Sequence, residues 1–299
     1  NMTYIRALPS PGSAVKQRVG IVGVSGYAGV ELHRILSAHP NVELTAISAG
    51  RAAGGTLGES WLGLDPERAV PIVSADVGVL AERCDVVFLA LPHGVSSQMA
   101  RPLLEAGVTV VDLGADFRLR DPEAWLAAYG TPHPAPDLLD VAVYGLPEQN
   151  RERLRGAQLI ANPGCYPTAT AIAALPLVEG GLADFVIADC LSGISGAGRR
   201  AGARNLYGEV HDSAVAYAVA GTHRHVSEIE QTLAVPVVFT PHLVPMSRGM
   251  LATIHVRPRG PMPSLSDLRD RYKARYADHP MVDVVDSPPA TREVRGTAI

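Results

Sequence analysis

The sequence predicts an α/β protein: a doubly wound parallel sheet followed by a second domain of α+β type. Three observations carry this. Short apolar runs alternate with helix-like stretches through the first half of the chain. In the second half the strands alternate between apolar and polar residues, as a mixed sheet with one wet face does. A length of 299 residues favours two domains over one. The expected boundary lies between residues 163 and 164, giving domains 1–163 and 164–299.

Composition supports a packed interior and removes several function classes. Apolar residues make up 47% of the chain and charged residues 19%, enough to bury a sizeable core. Aromatics are scarce, and Ala, Val, Leu and Gly suit close helix–sheet layers. The net charge is −4 with no run of lysine or arginine, so no basic stripe for nucleic acid or a membrane surface is present. Three cysteines make neither a disulfide framework nor a zinc pattern, and point to a reducing, cytoplasmic compartment. No metal site is expected. No apolar run reaches membrane-spanning length, and the start lacks the order of a signal peptide. Residues 1–17, with two prolines and no periodicity, read as a loose leader.

Residues 18–24 form a buried strand that runs into Gly23-Val24-Ser25-Gly26-Tyr27-Ala28-Gly29. Leu32, Ile35 and Leu36 follow at helical spacing. Strand, glycine turn and helix are the context of a Rossmann-type dinucleotide site, here spaced G-x-x-G-x-x-G. Glycines let the backbone approach a pyrophosphate, and the helix start favours its charge. Gly23, Ser25, Gly26, Tyr27, Ala28 and Gly29 are the expected cofactor contacts.

A second strand covers 42–47. Its end, Ser48-Ala49-Gly50-Arg51, has no acid for a ribose 2′-hydroxyl but offers a hydroxyl and an arginine. Ser48 and Arg51 therefore favour NADP over NAD; the alternative for Arg51 is a solvated loop charge. Residues 84–91 are a buried strand with Cys84 as a structural residue at its start. Pro92 and His93 close it on the ligand side, where His93 either touches the cofactor or fills a turn. A helix over 97–107 and a strand over 108–113 follow, and Gly114-Ala115-Asp116-Phe117-Arg118 turns away. Residues 121–140, rich in proline and poor in periodicity, read as a long, partly ordered excursion, and 149–155 as a charged helix.

A strand over 158–161 then meets Asn162-Pro163-Gly164-Cys165-Tyr166-Pro167-Thr168, and a small-residue helix runs over 168–177. Pro167 suits the first helical position. A thiol just before a helix start sits near unsatisfied N–H groups and the positive dipole end, which favour the nucleophilic thiolate. The alternative is a small buried cysteine. Beyond it, 185–191 is strand-like with Cys190 in the core. Ser192-Gly193-Ile194-Ser195-Gly196-Ala197-Gly198-Arg199 could hold an anionic group or be a mobile glycine loop. Strands are expected at 236–240, 250–256 and 281–285, and a helix at 265–276. His223-Arg224-His225 precedes a helix start, with Glu228 soon after. Histidine supplies acid–base chemistry near neutral pH, and a thiol nucleophile and its histidine meet only in the fold.

Together these stretches resemble the N-acetyl-γ-glutamyl-phosphate reductase family of arginine biosynthesis. The resemblance rests on Gly23 to Gly29, Ser48-Ala-Gly-Arg51, Leu91-Pro-His-Gly94, Gly114-Ala-Asp-Phe-Arg118 and Tyr144-Gly-Leu-Pro-Glu148. It continues through Asn162-Pro-Gly-Cys-Tyr-Pro-Thr168, Ser192-Gly-Ile-Ser-Gly-Ala-Gly-Arg199, Gly221-Thr-His-Arg-His225 and Pro245-Met-Ser-Arg-Gly-Met250. The cysteine and His-Arg-His stretches are the specific ones. The resemblance implies NADPH-dependent reduction of an acyl phosphate to a semialdehyde through a thioester on Cys165, with His223 as the acid–base residue. It places Arg199, Tyr217, His225, Glu228 and Ser192 around the substrate and implies a homo-oligomer, dimer or tetramer, with the second domain catalytic and dimerising. The Cys165 N–H at the helix start is the candidate donor to the thioester oxygen. One departure stands out: family members continue into a strand and a helix that return to the first domain, whereas this sequence ends at Gly296-Thr297-Ala298-Ile299. Aspartate-semialdehyde dehydrogenase and a carrier-protein-linked aminoadipyl reductase are the rival enzymes; the latter calls for basic residues around the substrate mouth. A redox sensor that binds NADP is the rival from another class, and it leaves His223 and the 192–199 loop without a task.

Overall fold

Apolar residues on both sides of a strand require helices on both sides of its sheet, and the first half of the chain is built that way. The computed structural model describes residues 16–50, 54, 55, 57–60, 70, 72–199 and 202–297. The chain divides into two compact units, Met2–Pro163 and Gly164–Ile299.

The first unit runs β1 (Gln17–Val22), α1 (Tyr27–Ser37), β2 (Val42–Ser48), the single turn α2 (Leu57–Ser60), α3 (Val77–Arg83), β3 (Val86–Leu89), α4 (Ser96–Glu105) and β4 (Thr109–Asp112). It continues with α5 (Pro122–Tyr129), β5 (Val143–Tyr144), α6 (Pro147–Leu154) and β6 (Leu159–Ala161). The six strands are all parallel, in the order β2-β1-β3-β4-β6-β5. Val86 and Phe88 point with Ile21 and Val111 into one core, against Leu32 and Leu36 of α1. Val87 and Leu89 point with Val22 and Val110 into the other, against Leu80 of α3 and Leu103 of α4. This is the doubly wound arrangement expected.

Two sequence expectations are corrected here. Gln17, placed in the loose leader, is the first residue of β1 and donates its N–H to Asn41 O. Residues 1–15 and Arg51 lie outside the described residues. The proline-rich 121–140 stretch is ordered by its own caps. Asp121 accepts the Glu123 N–H at the start of α5, Pro122 occupies the first turn, and Gly130 ends the helix in a left-handed conformation. Trp125 of α5 is 1% exposed, stacks on Tyr129 at 3.9 Å and meets His133 edge-on.

The second unit runs α7 (Cys165–Val178), β7 (Ala183–Ser192), the single turn α8 (Tyr207–Val210), β8 (Val215–Ala216), α9 (His225–Leu233), β9 (Val237–Leu243), β10 (Met250–Pro258) and α10 (Leu265–Tyr276). Its mixed sheet has the order β10-β7-β9-β8. The β7–β9 pair is parallel and the other two are antiparallel. One face is buried through Val186, Ala188 and Cys190 of β7 and Phe239 of β9. The opposite face is open, with Ile187 38% and Val238 49% exposed side by side in register.

Pro176 sits inside α7 and cannot donate to Ile172 O, the carbonyl four residues back. The hydroxyl of Tyr276, at the end of α10, donates to that carbonyl, and Tyr272 donates to Ala173 O. Residues 281–285 do not form the expected strand. Val282 donates its N–H to His279 O in a turn, so no ladder partner holds the segment extended.

Candidate active site

The nucleophile candidate sits at a helix start. Helix α7 begins at Cys165 itself, with Gly164 as an extended N-cap (φ −64°, ψ 155°). Pro167 is therefore the third helical residue and not the first as expected, a position still inside the turn whose N–H groups lack intrahelical acceptors. No side chain caps the helix, and its first turn has no acid. Cys165 is exposed, whereas Cys84 and Cys190 are buried. Burial raises both buried thiols, Cys190 to about 12, so neither offers a ready thiolate.

His223 stands in the turn before α9. Its Nδ1 accepts the backbone N–H of His225 at 3.1 Å. A ring that accepts at Nδ1 carries its single hydrogen on Nε2 when neutral. Burial, followed by the neighbouring Arg224 cation, pushes His223 down to about 4, so the ring is neutral near pH 7. It lies within a group of rings: His225 at 4.7 Å, Phe239 at 5.1 Å, Tyr217 at 5.7 Å and Tyr166 at 5.8 Å.

Tyr166 is a residue the sequence reasoning missed. It is buried, and its hydroxyl lies 2.8 Å from that of Tyr217. Burial raises both phenols above their ordinary range, so both remain hydroxyls. Its only signal in the sequence was its place next to Cys165. Tyr217 is also held by its N–H, which donates to Pro241 O.

Of the other expected substrate contacts, Ser192 ends β7 and is buried, its hydroxyl donating to Gly193 O at 3.1 Å. Arg199 is exposed in the following loop. That loop is tied to the 245–250 stretch: Gly193 donates its N–H to Gly249 O, Ile194 to Met246 O and Ser195 to Ser247 O. Glu228 is buried, and its Oε1 accepts the N–H of Gly164 at 2.8 Å.

The glycine turn of the first unit is built for close approach. Gly23 has φ +93°, and a Cβ there would lie 2.3 Å from Ala90 O. A Cβ on Gly29 would lie 2.3 Å from Gly23 O, so α1 packs directly on the turn. The N–H groups of Gly23 and Val24 donate to Ser48 O at 2.8 and 3.0 Å. Gly26 is the N-cap of α1, no side chain caps it, and the first turn of Tyr27 and Ala28 has no acid. With Ser25 in the turn, these residues fit a dinucleotide's pyrophosphate. Ser48 is fully buried, and its hydroxyl has no hydrogen-bond partner among the described residues.

Pro92 and His93 are exposed after β3, and the His93 ring lies 5.4 Å from that of Tyr129. Asp116, another residue the sequence left without a task, holds this turn. Its carboxylate accepts the N–H of Gly94 at 2.7 Å and of Ser97 at 2.9 Å. Arg118 donates to Leu113 O and, through Nε, to Asn162 O at 2.8 Å. The loops leaving β3, β4 and β6 are thus tied by one five-residue motif. Among the described residues, no group of three or more His, Cys, Asp or Glu is placed to hold a metal ion. Nor is any helix of the described residues long and apolar enough to cross a membrane.

Comparison with known proteins agrees with this arrangement. The family model described as semialdehyde dehydrogenase, NAD binding domain, matches residues 18–157, and semialdehyde dehydrogenase, dimerisation domain, matches 165–299. Fold and site therefore define the semialdehyde dehydrogenase class. N-acetyl-gamma-glutamyl-phosphate reductase of Halorhodospira halophila is 51% identical over 289 residues, covering 93% of this chain and 83% of that one. The enzyme of the same name from Azotobacter vinelandii is 49% identical over 294 residues, covering 94% and 84%. The chain belongs to the N-acetyl-γ-glutamyl-phosphate reductase family. Solved aspartate semialdehyde dehydrogenases share the fold at low identity. One is enzyme II of Vibrio cholerae, with TM-score 0.69 and 17% identity over 94% of this chain and 86% of that one. Another is the Candida albicans enzyme with NADP, with TM-score 0.64 and 21% identity over 86% and 75%.

Proposed function

We propose that this chain catalyses the NADPH-dependent reduction of N-acetyl-L-glutamyl 5-phosphate to N-acetyl-L-glutamate 5-semialdehyde and phosphate. One observation carries the reading: the exposed thiol of Cys165 is the first residue of an uncapped helix, in a chain half identical to relatives that bear this activity in their name.

The Cys165 sulfur attacks the acyl carbon. A C–S bond forms, the bond to the phosphate oxygen breaks, and phosphate leaves a thioester behind. Gly23, Ser25, Gly26, Tyr27, Ala28 and Gly29, with Pro92 and His93, would hold NADPH, which when bound would supply the hydride for the second half. Negative charge gathers on the acyl oxygen at each tetrahedral stage. The N–H groups of Cys165 and Tyr166 in the first turn of α7 are its donors, and Pro167 has none to add. The Nε2–H of neutral His223 holds that oxygen by a hydrogen bond in the second half, and the ring keeps its proton. The tetrahedral oxyanion then collapses: the C=O bond re-forms as the C–S bond breaks, releasing the aldehyde and the Cys165 thiolate. Arg199 is the cation for an anionic group of the substrate, and Ser192, Tyr217 and His225 line its place.

NADP is chosen over NAD because the end of β2 carries no acid and Arg51 follows it. Ser48 and Arg51 are the residues that bear that preference. A second copy packs on the open sheet face around Ile187 and Val238, giving the homo-oligomer implied by a dimerisation domain. Three free cysteines support a reducing, cytoplasmic setting.

The test is phosphate-dependent reduction of NADP by N-acetylglutamate semialdehyde, compared with NAD and with aspartate semialdehyde. Faster turnover of aspartate semialdehyde would overturn the substrate assignment, and equal use of NAD the cofactor assignment. NADPH binding with no turnover of either aldehyde would favour a sensor.

A further inference from the structure

Glu228 lies in the first turn of α9 and is only 2% exposed. A buried carboxylate needs hydrogen-bond donors, and Oε1 finds one in the backbone N–H of Gly164 at 2.8 Å. Gly164 is the N-cap of α7 and directly precedes Cys165. Its carbonyl is also occupied, accepting the N–H of Thr168 at 3.0 Å and the Thr168 hydroxyl at 2.9 Å. Both polar groups of Gly164 are thus fixed, one of them by a charge-assisted bond from another helix. That helix starts at His225, whose N–H sets the hydrogen of His223 on Nε2. The carboxylate that fixes the cap of the cysteine helix and the amide that fixes the histidine ring therefore belong to one element.

We infer that Glu228 is a positioning residue for the Cys165 helix start and not a ligand of the substrate, as the family resemblance had implied. The inference rests on the reading of Cys165 as the nucleophile. It corrects one expected substrate contact and leaves Arg199, Ser192, Tyr217 and His225 as the others. Glu228 sets where the sulfur and the first-turn N–H groups sit relative to the acyl carbon, so its loss acts on turnover more than on substrate affinity.

The experiment compares Glu228→Gln and Glu228→Ala in the full chain. Glutamine keeps an oxygen that accepts the Gly164 N–H; alanine does not. KM for N-acetylglutamate semialdehyde is expected to stay within about twofold of wild type in both. kcat is expected to fall less than about tenfold in the glutamine variant and about a hundredfold in the alanine variant, the scale of a nucleophile misplaced by an ångström. Hydrogen exchange of the Gly164 amide, measured without substrate, should stay slow in Glu228→Gln and quicken in Glu228→Ala. A rise in KM above about tenfold in Glu228→Gln with Gly164 still protected would make Glu228 a ligand and overturn the inference. Unchanged Gly164 exchange in Glu228→Ala would overturn it as well. Should the alanine variant fail to fold, the KM of Glu228→Gln decides alone. Exchange needs no turnover, so a wild-type enzyme inactive on this aldehyde would sink the activity and leave the clamp to be judged separately.

Discussion

Cys165 combines an exposed sulfur with a helix whose first turn carries no acid, while the other two thiols are sealed in the core. Cys165→Ser is expected to lower turnover at least about a thousandfold, because a hydroxyl lacks the acidity of a thiol at neutral pH, and to leave NADPH affinity unchanged. Loss of NADPH binding in that variant would mean the thiol has a different task. His223 makes a second prediction. The fold holds its pKa at about 4 against an ordinary value of 6.5. A base that is harder to protonate folded than unfolded adds stability above the unfolded value, and that share is lost as pH falls from 6.5 towards 4. Nitrogen-15 spectra at pH 6 should therefore show hydrogen on Nε2 and a bare Nδ1. A doubly protonated ring at that pH would refute the neutral tautomer and the Nδ1 acceptor assigned to it. His223→Ala should cost about a hundred- to ten-thousandfold in kcat.

Helix α7 shows how elements depend on one another. Pro176 strips Ile172 O of its donor, and the Tyr276 hydroxyl of α10 replaces it. Tyr276→Phe keeps the ring in place and orphans a carbonyl, so urea denaturation should show a loss of about 1–3 kcal/mol. A loss below the error of the measurement would mean that water takes over. The same scale explains what could be read from residues alone. The glycine turn, the buried strands and α10 announce themselves through neighbours in sequence. Helix α5 was missed although Asp121, Pro122 and Gly130 cap it, because only Trp125 of its residues is buried and no period forms. Residues 281–285 alternate like a strand, yet a strand exists only where another offers a ladder. The task of Glu228 was hidden because its partner lies 64 residues away.

At the scale of the whole molecule, one face of the second unit's sheet exposes apolar side chains among the described residues. Ile187 and Val238 are paired in register there and lie outside the set of catalytic and substrate residues. In a two-fold contact one substitution acts on both sides. Ile187→Glu is expected to weaken self-association by more than about a hundredfold, since two carboxylates would be buried without partners. Light scattering reads the outcome, and an unchanged mass would move the interface to another face. The first unit carries a signal of its own. Trp125 is stacked on Tyr129, and Tyr129 lies beside His93 at the turn where the nicotinamide dinucleotide is proposed to bind. The chain has two tryptophans, so Trp61→Phe leaves a single emitter. NADPH should quench its fluorescence in a saturable way, and a titration would then follow occupancy of the first unit in real time, with no turnover and no label.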